Sequence, residues 1–324
     1  MIYRQIPKIN QPLSAFVYGT NAKMTGEDTP AAVDILDAAY EAGFRCFDTA
    51  NSYGHSEENI GKWLSLRGNR EHIVLLDKGC NPTQKGSADI FSKETIQEQL
   101  LHSLDVLQTD HVEMYALHRD DPSKPVDEII ETLNELQAEG KIGQFGASNW
   151  TLPRLLQANQ YASQHGLSTF SFVSPAYSLA VYEKDPWQGS VSISGSQNAD
   201  YRKWLEDTQM PVFNYSALAR GFLSGKYCTT DKKPIEDCLG WGTIQEYRSK
   251  ENIERLQRTE KMAAKKNATV SQIALAWLLA QPLNLFPLVG PSTKEHIDEL
   301  ISAFHIQLNQ KECDWLLNGG DTPR

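Results

Sequence analysis

A closed α/β barrel, one domain over residues 1–324, is the architecture this sequence predicts. Short apolar runs alternate eight times with helix-period patterns, the rhythm of a parallel sheet wrapped by helices. No Gly-x-Gly-x-x-Gly follows the first run, although a doubly wound open sheet usually announces itself with one. The chain has 324 residues, 40 % of them hydrophobic, which is enough for one large core.

The strands are expected at 15–18, 44–48, 72–77, 111–117, 142–147, 170–174, 211–214 and 285–289. Helices are expected at 30–42, 57–66, 94–107, 126–139, 151–165, 200–208, 252–280 and 293–303. Thr29 can cap the first helix, and Pro30 suits its first position because the N–H it lacks would have no partner there. Val33, Leu36 and Tyr40 recur at helical spacing, and Gly43 suits the left-handed residue that ends the helix. The segment before Gly140 repeats the design with Val126, Ile129, Ile130, Leu133 and Leu136 on one face. Residues 1–13 are expected to plug the N-terminal end of the barrel, and residues 304–324 form a tail. Long loops at 178–199 and 226–250 follow strands, so they belong on the C-terminal rim, where barrels keep their sites.

A net charge of −10 with no basic run argues against nucleic acid or an anionic membrane as partner. Five cysteines without C-x-x-C spacing read as free thiols in a reducing compartment. No apolar h-region opens the chain and no apolar stretch approaches 18 residues, so a soluble cytoplasmic protein is expected. Eight histidines show neither H-x-x-x-H nor H-E-x-x-H spacing, and no metal is expected.

Asp48, Lys78 and His118 each stand just past an apolar run, and Tyr53 lies in the loop after the first of these. Parallel strands would collect all four at one rim. Asp48 and Lys78 alone could be a rim salt bridge. An isolated loop tyrosine commonly just packs, and a histidine at a strand end is commonly an ordinary hydrogen-bonded residue. Together they suit proton transfer to a carbonyl oxygen. Lys78 beside Tyr53 should bring the phenol below its ordinary pKa of about 10. Ser148 and Asn149 end the fifth strand, where their side chains can cap the next helix or donate and accept hydrogen bonds at the rim. Tyr215 and Ser216 end the seventh, followed by Arg220 and Gly221, and Gly290, Ser292 and Thr293 lead from the eighth into a helix. Glycines, an arginine and a helix N-terminus on one rim suit a pyrophosphate.

At this point the sequence resembles a known family. Phe47-Asp48-Thr49-Ala50-Asn51-Ser52-Tyr53-Gly54, Lys78-Gly79, His118-Arg119, Gly146-Ala147-Ser148-Asn149-Trp150, Tyr215–Gly221 and Leu288-Val289-Gly290 are similar to motifs of the aldo-keto reductases, over about residues 14–317. The likeness is to bacterial oxidoreductases of the group that includes potassium-channel β-subunits. It implies a (β/α)8 TIM barrel and an enzyme that reduces an aldehyde or ketone reversibly with a nicotinamide cofactor. Asp48, Tyr53, Lys78 and His118 would be the catalytic set, with Tyr53 the acid. Gly19, Thr20, Asp48, Ser148, Asn149, Ser174, Tyr215, Ser216, Leu218, Arg220, Gly221, Gly290, Ser292, Thr293, His296, Glu299 and Leu300 would bind the cofactor.

The sequence departs from the family pattern at several of these positions. Ser174 stands where many members carry glutamine, and Ser292 stands where a basic residue commonly grips the 2′-phosphate of NADP. His296 and Leu300 also depart, while Glu299 is kept. NADP is expected, with NAD as the other possibility. The pocket is expected from Asn21, Tyr53, His118, Arg119 and Trp187, with Lys23, Met24, Trp241 and Tyr247 as further wall candidates. Aromatic and polar walls suit a sugar or polyol carbonyl, and Lys23 or Arg119 could meet an acidic group. Two other readings stay open: a redox-sensing or regulatory subunit with little turnover, and an isomerase or aldolase using Lys78 as a Schiff-base amine. Oligomeric state is not legible.

Overall fold

The structure, a computed structural model, describes residues 1–21, 24–27, 29–82 and 89–323. Seven parallel strands lie in the order β8-β7-β6-β5-β4-β3-β9. These are β3 (Val17–Gly19), β4 (Cys46–Asp48), β5 (Val74–Gly79), β6 (Val112–Leu117), β7 (Ile142–Ser148), β8 (Val173–Ser174) and β9 (Leu288–Val289). Val212 fills the remaining place, bridging in parallel to Val173 on one side and Leu285 on the other. The sheet thus closes on itself as a (β/α)8 barrel. The segments expected as strands at 170–174, 211–214 and 285–289 form only short pieces of ladder. Pro175, Pro211 and Pro287 interrupt them, because proline has no N–H to give a ladder. The hydrogen bonds alternate around them, with Val212 N–H donating to Asn284 O at 2.9 Å and Leu288 N–H to Asn214 O at 3.0 Å.

Period-two alternation divides the strands between two cores. Inside the barrel lie Val17, Cys46, Val74, Leu76, Met114, Ala116, Phe172, Phe213 and Phe286. Ile6, Ile9 and Leu13 join them from the N-terminal segment, where β1 (Tyr3–Arg4) pairs antiparallel with β2 (Leu13–Ser14). This is the expected plug, and each fully buried apolar side chain in it is worth about 1.5–3 kcal/mol. Gly146 on β7 makes room for Phe172, since a Cβ there would lie 2.4 Å from the Phe172 ring.

The outer core seals the sheet under α1 (Thr29–Glu41), α2 (Ser56–Arg67), α3 (Lys93–Val106), α4 (Val126–Ala138), α5 (Leu152–Gln164) and α6 (Ala199–Thr208). The single helix expected over 252–280 is two. After α7 (Trp241–Tyr247) come α8 (Lys250–Lys266) and α9 (Val270–Leu279). Asn267 turns left-handed with φ 52°, and Thr269 with Gln272 forms a capping box that starts a new helix. α7 lies inside the expected 226–250 loop. Beyond α10 (Lys294–Ser302), the expected tail holds α11 (Gln310–Asn318), whose Asn309 and Glu312 form a second capping box. Among the described residues, no helix is long and apolar enough to cross a membrane.

Candidate active site

Three rim residues stand two positions beyond a residue of the inner core. Cys46 underlies Asp48, Leu76 underlies Lys78 and Ala116 underlies His118. Alternation therefore turns all three side chains onto the top of the barrel interior. Asp48, Lys78 and His118 are buried. The Lys78 ammonium donates to Asp48 Oδ1, and to Thr49 O at 3.0 Å. Its Nζ lies 5.1 Å from the centroid of the Tyr53 ring. Across the cleft, the His118 ring meets Tyr53 edge to face at 5.5 Å.

The loop carrying Tyr53 is tied down from below. Thr49 N–H donates to Leu76 O at 2.9 Å and Asn51 N–H to Lys78 O at 3.1 Å. Asn51 Nδ2 donates to Gln99 Oε1 at 2.8 Å, which also accepts from Cys80 N–H at 2.7 Å. Thr20 Oγ1 donates to Asp48 O at 2.8 Å. Sequence reasoning did not single out Ser52 and Asn81. Ser52 Oγ is in contact with His118 Nδ1 at 3.4 Å and accepts from Asn81 Nδ2 at 3.1 Å. Their proximity in sequence to Tyr53 and Lys78 was the available signal.

The electrostatics differ from expectation at Tyr53. Burial raises its pKa above 10, and the neighbouring Lys78 charge opposes this without overcoming it. Burial likewise raises Asp48 to about 6 against the pull of Lys78. Burial alone would lower Lys78, but Asp48 and Tyr53 outweigh it and hold the ammonium above its ordinary value. Burial drives His118 well below 6.5, helped by Lys78 and Arg119. At neutral pH the group is an ion pair, a phenol and a neutral imidazole.

A second cluster follows around the rim. Ser148 Oγ donates to Ser174 O at 2.9 Å, and Ser174 Oγ to Phe213 O at 2.8 Å. Asn149, in the left-handed region at φ 61°, donates to His118 O and Ser148 Oγ, each at 3.1 Å. Its Oδ1 accepts from the Tyr215 hydroxyl at 2.7 Å and from Val191 N–H at 3.0 Å. Tyr215 faces Trp187 at 5.8 Å, and Trp187 lies under the Arg119 guanidinium at 4.7 Å.

Beyond Tyr215 the backbone is unusual. Ser216, Ala219, Arg220 and Gly221 have φ of 53°, 49°, 51° and 96°. Three non-glycine residues in the left-handed region within one turn mark a constrained loop of the kind that gathers N–H groups around an anion. Arg220 pairs with Glu246, and its carbonyl accepts from Thr243 Oγ1 at 3.0 Å, so α7 braces this turn. Gly290 leads to α10, where Thr293 caps His296 N–H and Ser292 approaches His296 Nδ1 at 3.4 Å. The left-handed turn and the start of α10 are the elements that could hold a dinucleotide pyrophosphate. Gly19 ends β3, and Thr20 follows it at the rim.

Several expected residues are committed elsewhere. The Glu299 carboxylate accepts from Thr269 and Ser271 at the start of α9, and Leu300 is buried in the outer core. Met24 and Tyr247 are buried in the outer core, Tyr247 lying 5.1 Å from Tyr182. Trp241 is exposed at the start of α7 and Asn21 is exposed at the rim. Lys23 lies outside the described residues. Leu218 is partly buried beside the left-handed turn.

A parallel barrel with polar side chains gathered above its core at the C-terminal ends of the strands defines the class of barrel enzymes. Comparison narrows this: the model of the Aldo/keto reductase family matches residues 16–316. The chain belongs to the aldo-keto reductase family. It is 30 % identical to the uncharacterized oxidoreductase YrpG of Bacillus subtilis, over 100 % of this chain and 98 % of that one. It is 28 % identical to the probable aryl-alcohol dehydrogenase AAD4 of Saccharomyces cerevisiae, covering 88 % and 86 % of the two chains. A crystal structure of the thermostable aldo-keto reductase Tm1743 superposes with a TM-score of 0.73 at 23 % identity, over 99 % of this chain and 100 % of the other. That likeness bears on the fold.

Proposed function

We propose that the protein is an NAD(P)H-dependent oxidoreductase that reduces an aldehyde or ketone to an alcohol, with Tyr53 as the proton donor. The observation that carries this reading is the Lys78 ammonium, held by Asp48 and set 5.1 Å from the centre of the Tyr53 ring, with neutral His118 on the other side. Family membership and relatives named as oxidoreductases support the reaction type.

Tyr53 holds its proton through neutral pH and releases it to the carbonyl oxygen as negative charge develops there. Lys78 then stabilises the phenolate that remains. Asp48 fixes the ammonium in place. His118, kept neutral, can offer a hydrogen bond to the same oxygen and orient the carbonyl. A Schiff-base lysine would need a lowered pKa, and Lys78 is held the other way. A reduced nicotinamide bound at this rim supplies the hydride to the carbonyl carbon.

Ser148, Asn149, Ser174 and Tyr215 would hold the nicotinamide end. Gly19 and Thr20, next to Asp48, would border the cofactor at the catalytic end, Ser216, Leu218, Arg220 and Gly221 would follow the pyrophosphate, and Gly290, Ser292, Thr293 and His296 would take the adenosine end. Ser292, Thr293, Lys294 and His296 leave hydroxyls and one lysine near a helix N-terminus, which suits the 2′-phosphate of NADP; NAD is the other candidate. Trp187 and Arg119 would wall the substrate, an arrangement compatible with a sugar or polyol carbonyl. The test is turnover of a panel of aldehydes, ketones and sugars with NADPH and NADH, using wild type and Tyr53→Phe. Turnover lost in Tyr53→Phe with nucleotide affinity kept supports the reading, and turnover kept above about a tenth overturns it.

A further inference from the structure

The sequence run Arg119-Asp120-Asp121 looks self-neutralising, and the structure shows that it is not. Asp120 turns away to the buried Arg154, whose Nε donates to it at 3.2 Å. Asp121 accepts from Ser123 N–H at 3.0 Å and from its hydroxyl at 2.6 Å. Arg119 is left facing the cleft. Its Nη1 donates to His118 O at 2.8 Å, and its flat face lies 4.7 Å from the Trp187 ring centre. Among the described residues, no carboxylate pairs with it.

The groups around the guanidinium are phenols and an imidazole. Tyr53, Tyr182 and Tyr215 lie within its electrostatic reach, all with pKa values raised by burial and so neutral. His118 beside it is neutral as well. Lys78 is balanced by Asp48. One positive charge therefore stands uncompensated in a cleft of a protein whose net charge is −10. Burying an unpaired guanidinium is unfavourable, and burial does lower the Arg119 pKa. A planar fork with free N–H groups, its flat face resting on an indole ring, matches the geometry of a carboxylate.

We propose that Arg119, with Trp187, seats a carboxylate carried by the substrate, so that the preferred class is an aldehyde or ketone bearing an acidic group. The proposal rests on the reading of Tyr53 as the donor to that carbonyl, since the two groups share one cleft.

The experiment compares 4-carboxybenzaldehyde with its methyl ester, which differ in charge and share the reacting group. In wild type, kcat/KM for the acid exceeds that for the ester by about 10- to 100-fold, the range of a charge-assisted hydrogen-bonded pair. Arg119→Met brings that ratio near one, mainly through KM for the acid, and Arg119→Lys keeps part of it. Equal rates for acid and ester in wild type, or a preference that survives Arg119→Met, overturn the proposal and leave the reading of Tyr53 standing. Benzoate serves as a non-reacting probe, followed by tryptophan fluorescence. Benzoate binding lost in Arg119→Met supports the anion site even if neither aldehyde is reduced, an outcome that would count against the Tyr53 reading alone. Benzoate binding unchanged in Arg119→Met overturns the site.

Discussion

Lys78 donates to Asp48 while its ammonium sits beside the ring of Tyr53, so one cation serves a buried carboxylate and a phenol. Charge near the phenol would ordinarily lower its pKa. Burial wins instead and keeps the proton on the oxygen. For a donor in the reducing direction this is the useful state, because the ammonium then acts after the proton has left.

Replacing Tyr53 by phenylalanine should lower kcat for carbonyl reduction by about 10²–10⁴-fold, the usual worth of a positioned general acid. Lys78→Met should come close to the same loss, because the phenolate is then left without its cation. Steady-state kinetics on a neutral aldehyde checks both, and nucleotide fluorescence titration separates binding from chemistry. A Tyr53→Phe enzyme that keeps most of its rate would move the proton donor elsewhere.

The pH profile should be lopsided. Asp48 titrates at about 6, so as pH falls through 6 it takes up a proton and releases Lys78, and reduction slows. Tyr53 lies above 10 and His118 well below 6.5, so neither imposes a limb between pH 7 and 9. A plot of log kcat/KM that drops between pH 7 and 9 would mean a Tyr53 pKa lower than its surroundings dictate.

A pH effect on stability should also come from outside the cleft. Glu57 on α2 is raised to about 9 by burial and by the neighbouring Asp77 on the outer face of β5. Its folded value lies above the ordinary value of 4.5, so the native state keeps a proton that the unfolded chain gives up. The stability tied to that proton is complete below about pH 4.5 and is lost as pH rises through about 9, at no more than ~1.4 kcal/mol per unit. Glu57→Gln, which cannot ionise, should flatten this slope in urea unfolding between pH 5 and 9. An unchanged slope would mean that another group holds the proton.

Gly146→Ala should destabilise the barrel by about 1–3 kcal/mol, because its methyl would strike the Phe172 ring across the interior. Phe172→Leu in the same chain should recover part of the loss by shrinking the obstacle. Thermal unfolding of both variants measures this. Additive losses would show that the ring is not the obstacle.

Much of the fold was legible because alternating apolar runs report the two-sided strands of a barrel directly. The run expected at 111–117 is β6, and 142–147 is β7, each within a residue. Composition could not show that prolines would cut the seventh strand to a bridge, or that Asn267 would break one long helix into two. The rim residues were legible because each follows its strand by a fixed step. The link from Trp187 to Arg119 was not, since it depends on how the 178–199 loop folds back. The sign of the Tyr53 shift was misjudged for a physical reason: a neighbouring cation can be read from sequence, but the depth of burial that outweighs it cannot.

The stacking of Asp48 on Cys46, Lys78 on Leu76 and His118 on Ala116 has a mechanical consequence. Reactive groups and ballast are consecutive courses of the same wall, so a change in the lower course tilts the upper one. Ala116→Val, whose added methyls would lie beside Lys78 in the strand register, would shift the ammonium next to it and the imidazole above it, and selection on the interior of this barrel is thereby also selection on its chemistry.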